Sequence, residues 1–186
     1  LAPATKLFQF LYNHRLTQRR SQSAKAESAY NLDLARAFLE KQGIPVVEPS
    51  VPYLQFSEQE IATQKTKLSK LLGISTACKW VFVHSSTGGS ATSLSLEQYA
   101  TLLNNLTEHL DCQVILTAGK GEEERANALA SLLTQNAAVY AQNDGLQDFS
   151  HSIACADLFI AGSTGPLHIA GALNVPTIGF YPSRLS

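Results

Sequence analysis

From residue 80 onward, short apolar runs alternate with longer segments whose apolar positions recur at helical spacing. The runs at 80–84, 114–117, 139–140, 158–161 and 177–180 are too short for helices and apolar at successive positions, which predicts five buried strands. Between them, 96–109, 122–133, 146–154 and 164–173 predict four helices, the first opened by Ser95 and Gln98 at the spacing of a capping box. Such an alternation predicts a doubly wound, Rossmann-like α/β domain, a parallel sheet covered on both faces with right-handed crossovers.

The chain before residue 80 follows a different pattern. A helix is expected over 27–41, ending at Gly43 and Pro45. Pro45, Pro49 and Pro52 deny 46–56 the amide donors of a central strand, so it reads as an extended linker. Ser57 with Glu60 forms another capping box and Gly73 is a natural stop, which predicts a helix over 58–72. Residues 1–25 hold Lys6, Arg15, Arg19, Arg20 and Lys25 with no acid, interleaved with Phe8, Phe10, Leu11 and Tyr12. A solvated helix or linker is the expectation, with contact to anionic headgroups or a phosphorylated acceptor as its alternative.

Composition narrows the class. Hydrophobic residues make up 45%, charged residues 16% and the net charge is −1, which argues against disorder and against global attraction to nucleic acid. Cys78, Cys112 and Cys155 form no CxxC pair and no metal-ligand spacing, so each is expected to be a small core hydrophobe in a reducing, cytoplasmic setting. No run approaches the roughly 20 apolar residues of a membrane span. The chain lacks methionine altogether, and we expect it to be a fragment.

Ligands on doubly wound sheets bind at the carboxyl ends of the strands. After the first strand come Ser85, Ser86, Thr87, Gly88, Gly89 and Ser90, small residues whose amides and hydroxyls suit a phosphate. The spacing is neither that of a Walker loop nor GxGxxG. A flexible connection has the same composition. After the fourth strand, Ser163 or Thr164 is expected to cap a helix with Gly165 and Pro166 in its first turn. Free amides and the positive dipole end make that point an anion site, and His168 lies one turn after Thr164 on the same face. A histidine packed in the core is the alternative. In the loop after the second strand, Glu122, Glu123 and Glu124 suit a helix start, and one of them is a candidate ribose acceptor.

The strand ending in His84, the hydroxyl loop, the Leu116-Thr117-Ala118-Gly119 run with Glu122 to Arg125, the Ser163-Thr164-Gly165-Pro166-Leu167-His168-Ile169-Ala170 segment and the Pro176-Thr177-Ile178-Gly179-Phe180 run together resemble the donor-binding domain of the ADP-heptose:lipopolysaccharide heptosyltransferases. The resemblance spans about residues 75–182, and [S/T]-G-x-x-H-x-A in its strand-to-helix setting is its specific part.

It implies the C-terminal half of a two-domain GT-B glycosyltransferase. Residues 1–56 would then be the end of the acceptor domain and the interdomain linker, and 57–186 the nucleotide-sugar domain. Ser86, Thr87 and Gly88 would contact the donor phosphates, with Thr164, Gly165 and His168 as a second phosphate site and Glu122 on the nucleoside. Ser163 stands where the family has a sugar-contacting aspartate, while Ala91 and Ser93 stand where it has lysine and tryptophan. Loss of the lysine weakens stabilisation of the leaving diphosphate, and loss of the aspartate bears on which sugar is carried.

The implied chemistry is inverting transfer of a heptose from ADP-heptose or a related nucleotide sugar to a lipid A-core acceptor. It needs no metal and no cofactor, and its catalytic base lies in the missing acceptor half, so this chain alone is expected to be inactive. Partners implied are that acceptor domain and, peripherally, the inner face of the inner membrane, with no nucleic acid. The alternatives are another GT-B transferase, an epimerase-type nucleotide-sugar domain, or a non-catalytic nucleotide-binding module.

Overall fold

The computed structural model describes residues 2–3, 13–22, 24–87 and 93–181. Gly88 and Ala91 lie outside the described residues, as do Lys6, Phe8, Phe10, Leu11 and Tyr12. The chain divides into two compact units, Leu1–Pro49 and Ser50–Ser186.

In the first unit, β1 (Ala2–Pro3) pairs in parallel with β2 (Arg15–Leu16), a 3-10 turn covers Arg20–Gln22, and α1 spans Glu27–Lys41. Strand and turn thus replace the solvated helix or linker expected around residues 15–22. The cause is a local anchor on α1. Tyr30 is buried, its hydroxyl donates to the Arg19 carbonyl at 2.9 Å, and Gln18 donates to the Tyr30 carbonyl at 2.6 Å. Arg20 pairs with Glu27 and Lys25 with Asp33, and both cations lie over the Tyr30 ring. Two charges of the basic stretch are therefore engaged by α1 itself. Gly43 ends α1 in the left-handed region at φ 67°, as only glycine does without cost.

The second unit opens with α2 (Glu58–Leu72), held by the complete Ser57/Glu60 capping box and ended by Gly73 at φ 65°. There follow β3 (Lys79–His84), α3 (Leu96–His109), β4 (Cys112–Thr117), α4 (Glu123–Ala130), β5 (Ala138–Tyr140), α5 (Leu146–Ala154), β6 (Leu158–Gly162), α6 (Gly165–Ala172) and β7 (Thr177–Phe180). The five strands are all parallel in the order β5-β4-β3-β6-β7, so the direction of winding reverses between β3 and β6.

Strand alternation sends side chains to two apolar layers. Trp80 and Phe82 of β3 face a cluster with Leu68 of α2, Ile153 of α5 and Leu167 of α6. Val81 and Val83 face the opposite cluster, with Tyr99 and Leu103 of α3 and Leu129 of α4. Cys155 belongs to the first cluster, and burial pushes its thiol up to about 12. Cys78 and Cys112 pack at the margins.

Helix α4 is shorter than the expected 122–133. Glu122 turns its carboxylate back to the Gly119 amide at 2.8 Å, and past Ala130 the amides of Leu132 and Leu133 reach back only three residues. The α2–α5 seam is polar at its heart. Asp148 accepts from Lys67 at 2.7 Å, from Gln64 and Tyr140 at 3.0 Å, and from the Asp144 amide at 3.2 Å. Burial works against its charge, yet these donors hold the carboxyl down at about 2, below the ordinary 3.8.

Because the folded value lies below the unfolded one, this contribution is present above about pH 4 and disappears as pH falls toward 2. We expect the stability advantage of the native chain over Asp148→Asn to shrink by about 2 kcal/mol between about pH 5 and pH 2 in urea titrations. A difference that stays constant over that range would exclude Asp148 as the source.

Candidate functional site

The reversal of winding between β3 and β6 leaves a crevice where the two crossovers part in opposite directions. His84 and Ala161 are register partners there, so the loop after β3 and the start of α6 leave the sheet side by side. Sequence explains what happens next. Within three residues the chain passes from the apolar run of β3 to His84, Ser85 and Ser86, all buried.

Ser86, Thr87 and Glu122, drawn from two loops, line one cavity of about 430 Å³ together with Ser93, Gly121 and Arg125. Gly121, at φ 82°, turns the loop after β4 toward it. Glu122 is fixed from two sides: its Oε2 accepts the Gly119 amide at 2.8 Å and lies 3.6 Å from His84 Nε2. A methyl group on Gly119 would meet that same oxygen at 2.9 Å, so a larger residue there would push the carboxylate aside. The other ring nitrogen of His84 is 2.9 Å from Thr117 Oγ1. Burial lowers the His84 pKa, opposed by the Glu122 charge, and the net effect favours a neutral ring.

The segment after β6 is beside this cavity and does not line it. A methyl group on Gly162 would stand 3.1 Å from Thr87 Cγ2 and 3.2 Å from Ser93 Oγ, which measures how closely the β3 loop packs on the end of β6. Thr164 occupies the N-cap position in extended conformation, but its hydroxyl donates to the Gly162 carbonyl at 3.2 Å and caps nothing. The expected side-chain cap by Ser163 or Thr164 is therefore absent, the Thr164 hydroxyl being turned to the Gly162 carbonyl instead of the α6 amides. Pro166 sits in the first turn as expected, and the helix is left open to another acceptor. His168 is exposed rather than packed in the core, and Ser163 is half-buried.

Arg125 appears in the sequence only as the end of the run from Glu122, with no role assigned to it. Its Nε donates to the Ser85 carbonyl at 3.0 Å and its Nη2 to that of Leu94 at 3.3 Å. The signal lay in its position. A cation in the first turn of a helix opposes the dipole at a cost of about 0.3–1 kcal/mol, so it calls for a compensating role. Among the described residues, no three histidine, cysteine or carboxylate side chains come together as metal ligands, and no helix is long and apolar enough to cross a membrane.

The sequence matches the family model described as "Glycosyltransferase family 9 (heptosyltransferase)" over residues 4–184. A Haemophilus influenzae protein named "Putative glycosyltransferase" is 59% identical over 187 residues, covering 100% of this chain and 54% of that protein. The chain thus spans about half the length of the curated relative it matches. Among solved structures, Escherichia coli ADP-heptose lps heptosyltransferase II superposes with a TM-score of 0.62 at 23% identity, over 74% of this chain and 40% of its own. The E. coli heptosyltransferase WaaC with ADP-2-deoxy-2-fluoro heptose gives 0.59 at 20% identity, over 95% and 50% respectively. These likenesses carry the fold, a GT-B-type α/β half, and the family match over nearly the whole sequence carries the membership: the chain belongs to glycosyltransferase family 9, the heptosyltransferases.

Proposed function

We propose that this chain is the donor-binding half of a transferase that moves a heptose-type sugar from a nucleoside diphosphate to the inner core of a lipopolysaccharide. The observation that carries this reading is the meeting of Ser86, Thr87 and Glu122 on one cavity at the point where the sheet reverses its winding, beside an uncapped helix start. Two relatives in the family are heptosyltransferases of known structure, one of them with an ADP-sugar analogue, which makes ADP-heptose the first donor to test.

On this reading the diphosphate lies between the hydroxyls of Ser86 and Thr87 and the amides at the start of α6, with Gly165 allowing close approach and His168 within reach of its far side. Gly88 belongs to the same cradle by sequence. Charge builds on the leaving diphosphate as the glycosidic bond breaks, and donors already aimed at it stabilise that charge, each worth about 10²–10³ in rate where measured in other enzymes. Glu122, held by the Gly119 amide, accepts from the nucleoside ribose. The acceptor hydroxyl is deprotonated by a carboxylate outside this chain, with inversion at the anomeric carbon and without a metal. Ser163 in place of an aspartate bears on the sugar, so a related nucleotide sugar is the second candidate donor.

Calorimetric titration with ADP, UDP, GDP and CDP decides the donor nucleotide. We expect ADP to bind most tightly, and equal affinity for all four would remove ADP-heptose as the donor. Glu122→Ala should erase most of the preference for ADP, while His168→Ala should weaken all four diphosphates by about fivefold, the size of one exposed anion contact.

Gly119→Ala displaces the Glu122 carboxylate while leaving the phosphate side untouched. We expect it to reproduce the Glu122→Ala binding pattern in a folded protein, and wild-type selectivity in that variant would detach Glu122 from nucleoside recognition. The 186-residue chain by itself should show no transfer, and turnover by it would place the base within these residues.

A further inference from the structure

Arg125 is a cation whose surroundings are built mostly from neutral groups. It is the third residue of α4, and its guanidinium joins the carbonyls of Ser85 and Leu94, which bracket the hydroxyl-rich loop. One side chain thus ties both ends of that loop. Carbonyl oxygens satisfy two of the five N–H donors but carry no countercharge. Arg125 makes no ion pair with any described carboxylate, and residues 88–92, Gly-Gly-Ser-Ala-Thr, bring none by sequence.

Two acids stand in its neighbourhood, and neither pairs with it. Glu97 is held low first by its own backbone amide and by Ser95, with Arg125 acting on it only as a weaker, longer-range charge. Glu122 shares the cavity wall and already accepts the Gly119 amide. A half-buried guanidinium on the wall of a 430 Å³ cavity beside Ser86 and Thr87, without a contact counterion, fits an anionic ligand.

We propose that Arg125 is a donor-binding residue: it takes the negative charge of the nucleotide's diphosphate, and the Ser85 and Leu94 carbonyls hold its guanidinium in place for that contact. This rests on the donor-binding reading above. The planar fork suits phosphate oxygens and strengthens as charge builds on the leaving group.

The test titrates the 186-residue chain, as wild type, Arg125→Ala and Arg125→Lys, with ADP, inorganic pyrophosphate and adenosine. Arg125→Ala should weaken ADP and pyrophosphate by about 10- to 100-fold, with adenosine changed by no more than about twofold. Equal weakening of adenosine and ADP, or unchanged pyrophosphate binding, would overturn the proposal, since a mere tie between loop ends has no reason to discriminate by charge. If Arg125→Ala does not fold, Arg125→Lys decides. It keeps the charge and loses the planar fork and the two-carbonyl bridge, so pyrophosphate affinity that stays near wild type, or that falls while adenosine does not, supports the proposal, and a loss matched for adenosine refutes it. Wild-type protein that binds pyrophosphate without preferring any nucleoside retires the nucleotide reading and leaves the Arg125 comparison intact. Wild-type protein that binds neither ADP nor pyrophosphate overturns both.

Discussion

Every side chain of β3 from Trp80 to His84 is buried, and the second unit is arranged around that requirement. A strand without a solvent face needs a neighbour on each edge and a layer of helices on each side. β4 and β6 supply the edges, α2, α5 and α6 cover Trp80 and Phe82, and α3 and α4 cover Val81 and Val83. Each helix that links two strands must then return the chain to the same end of the sheet, which makes all five strands parallel and gathers their carboxyl ends. The crevice at the β3–β6 reversal is a by-product of burying one strand on both faces.

Burial of polar groups follows the same geometry. In this unit the buried polar residues fall mainly in two places, Gln64 and Ser152 at the α2–α5 side, and His84, Ser85, Ser86 and Thr117 where β3 and β4 end, while Ser150 donates to the Leu146 carbonyl within α5. Among the described residues, no buried side-chain nitrogen or oxygen lacks a partner. The first group, with Asp148 as its acceptor, fixes α2 against α5 and has a structural purpose that its hydrogen bonds explain in full. The second lines up behind the cavity. Within it His84 Nδ1 lies 2.9 Å from Thr117 Oγ1, which joins the ends of β3 and β4.

What could be read from the sequence was what depends on near neighbours. Both capping boxes, the Gly43 and Gly73 stops and the five strands have signals within a few residues, and the structure has them where those signals stand. Departures arose where a distant contact outranked the local pattern. Residues 15–22 are shaped by Tyr30, which reaches back over eleven residues to Arg19. The Thr164 hydroxyl serves its own turn rather than the helix, a choice that composition cannot distinguish from capping. In the site, Ser86, Thr87 and Glu122 could be nominated from loop chemistry. Their convergence on one cavity depends on the strand order, and Arg125 was missed because its partners lie 40 and 31 residues away.

The net charge of −1 gives no hint of the proposed anion site, and the two are compatible. Attraction for a small charged ligand is set by the field inside one crevice, where few groups contribute and low-dielectric walls concentrate their effect. At the β3–β6 crevice those groups are the uncapped start of α6, the uncompensated guanidinium of Arg125 and the buried hydroxyls, while the adjacent histidine is kept neutral by burial. Among the described residues Glu122 is the one acid lining that cavity, and it is tied to a backbone amide on the nucleoside side of the proposed site. A diphosphate group and a ribose place opposite demands on their surroundings, one for positive field and one for an acceptor. On the proposed reading the two loops that end β3 and β4 divide those demands between them, so that a cavity built from two strand ends would serve a nucleotide better than either loop alone.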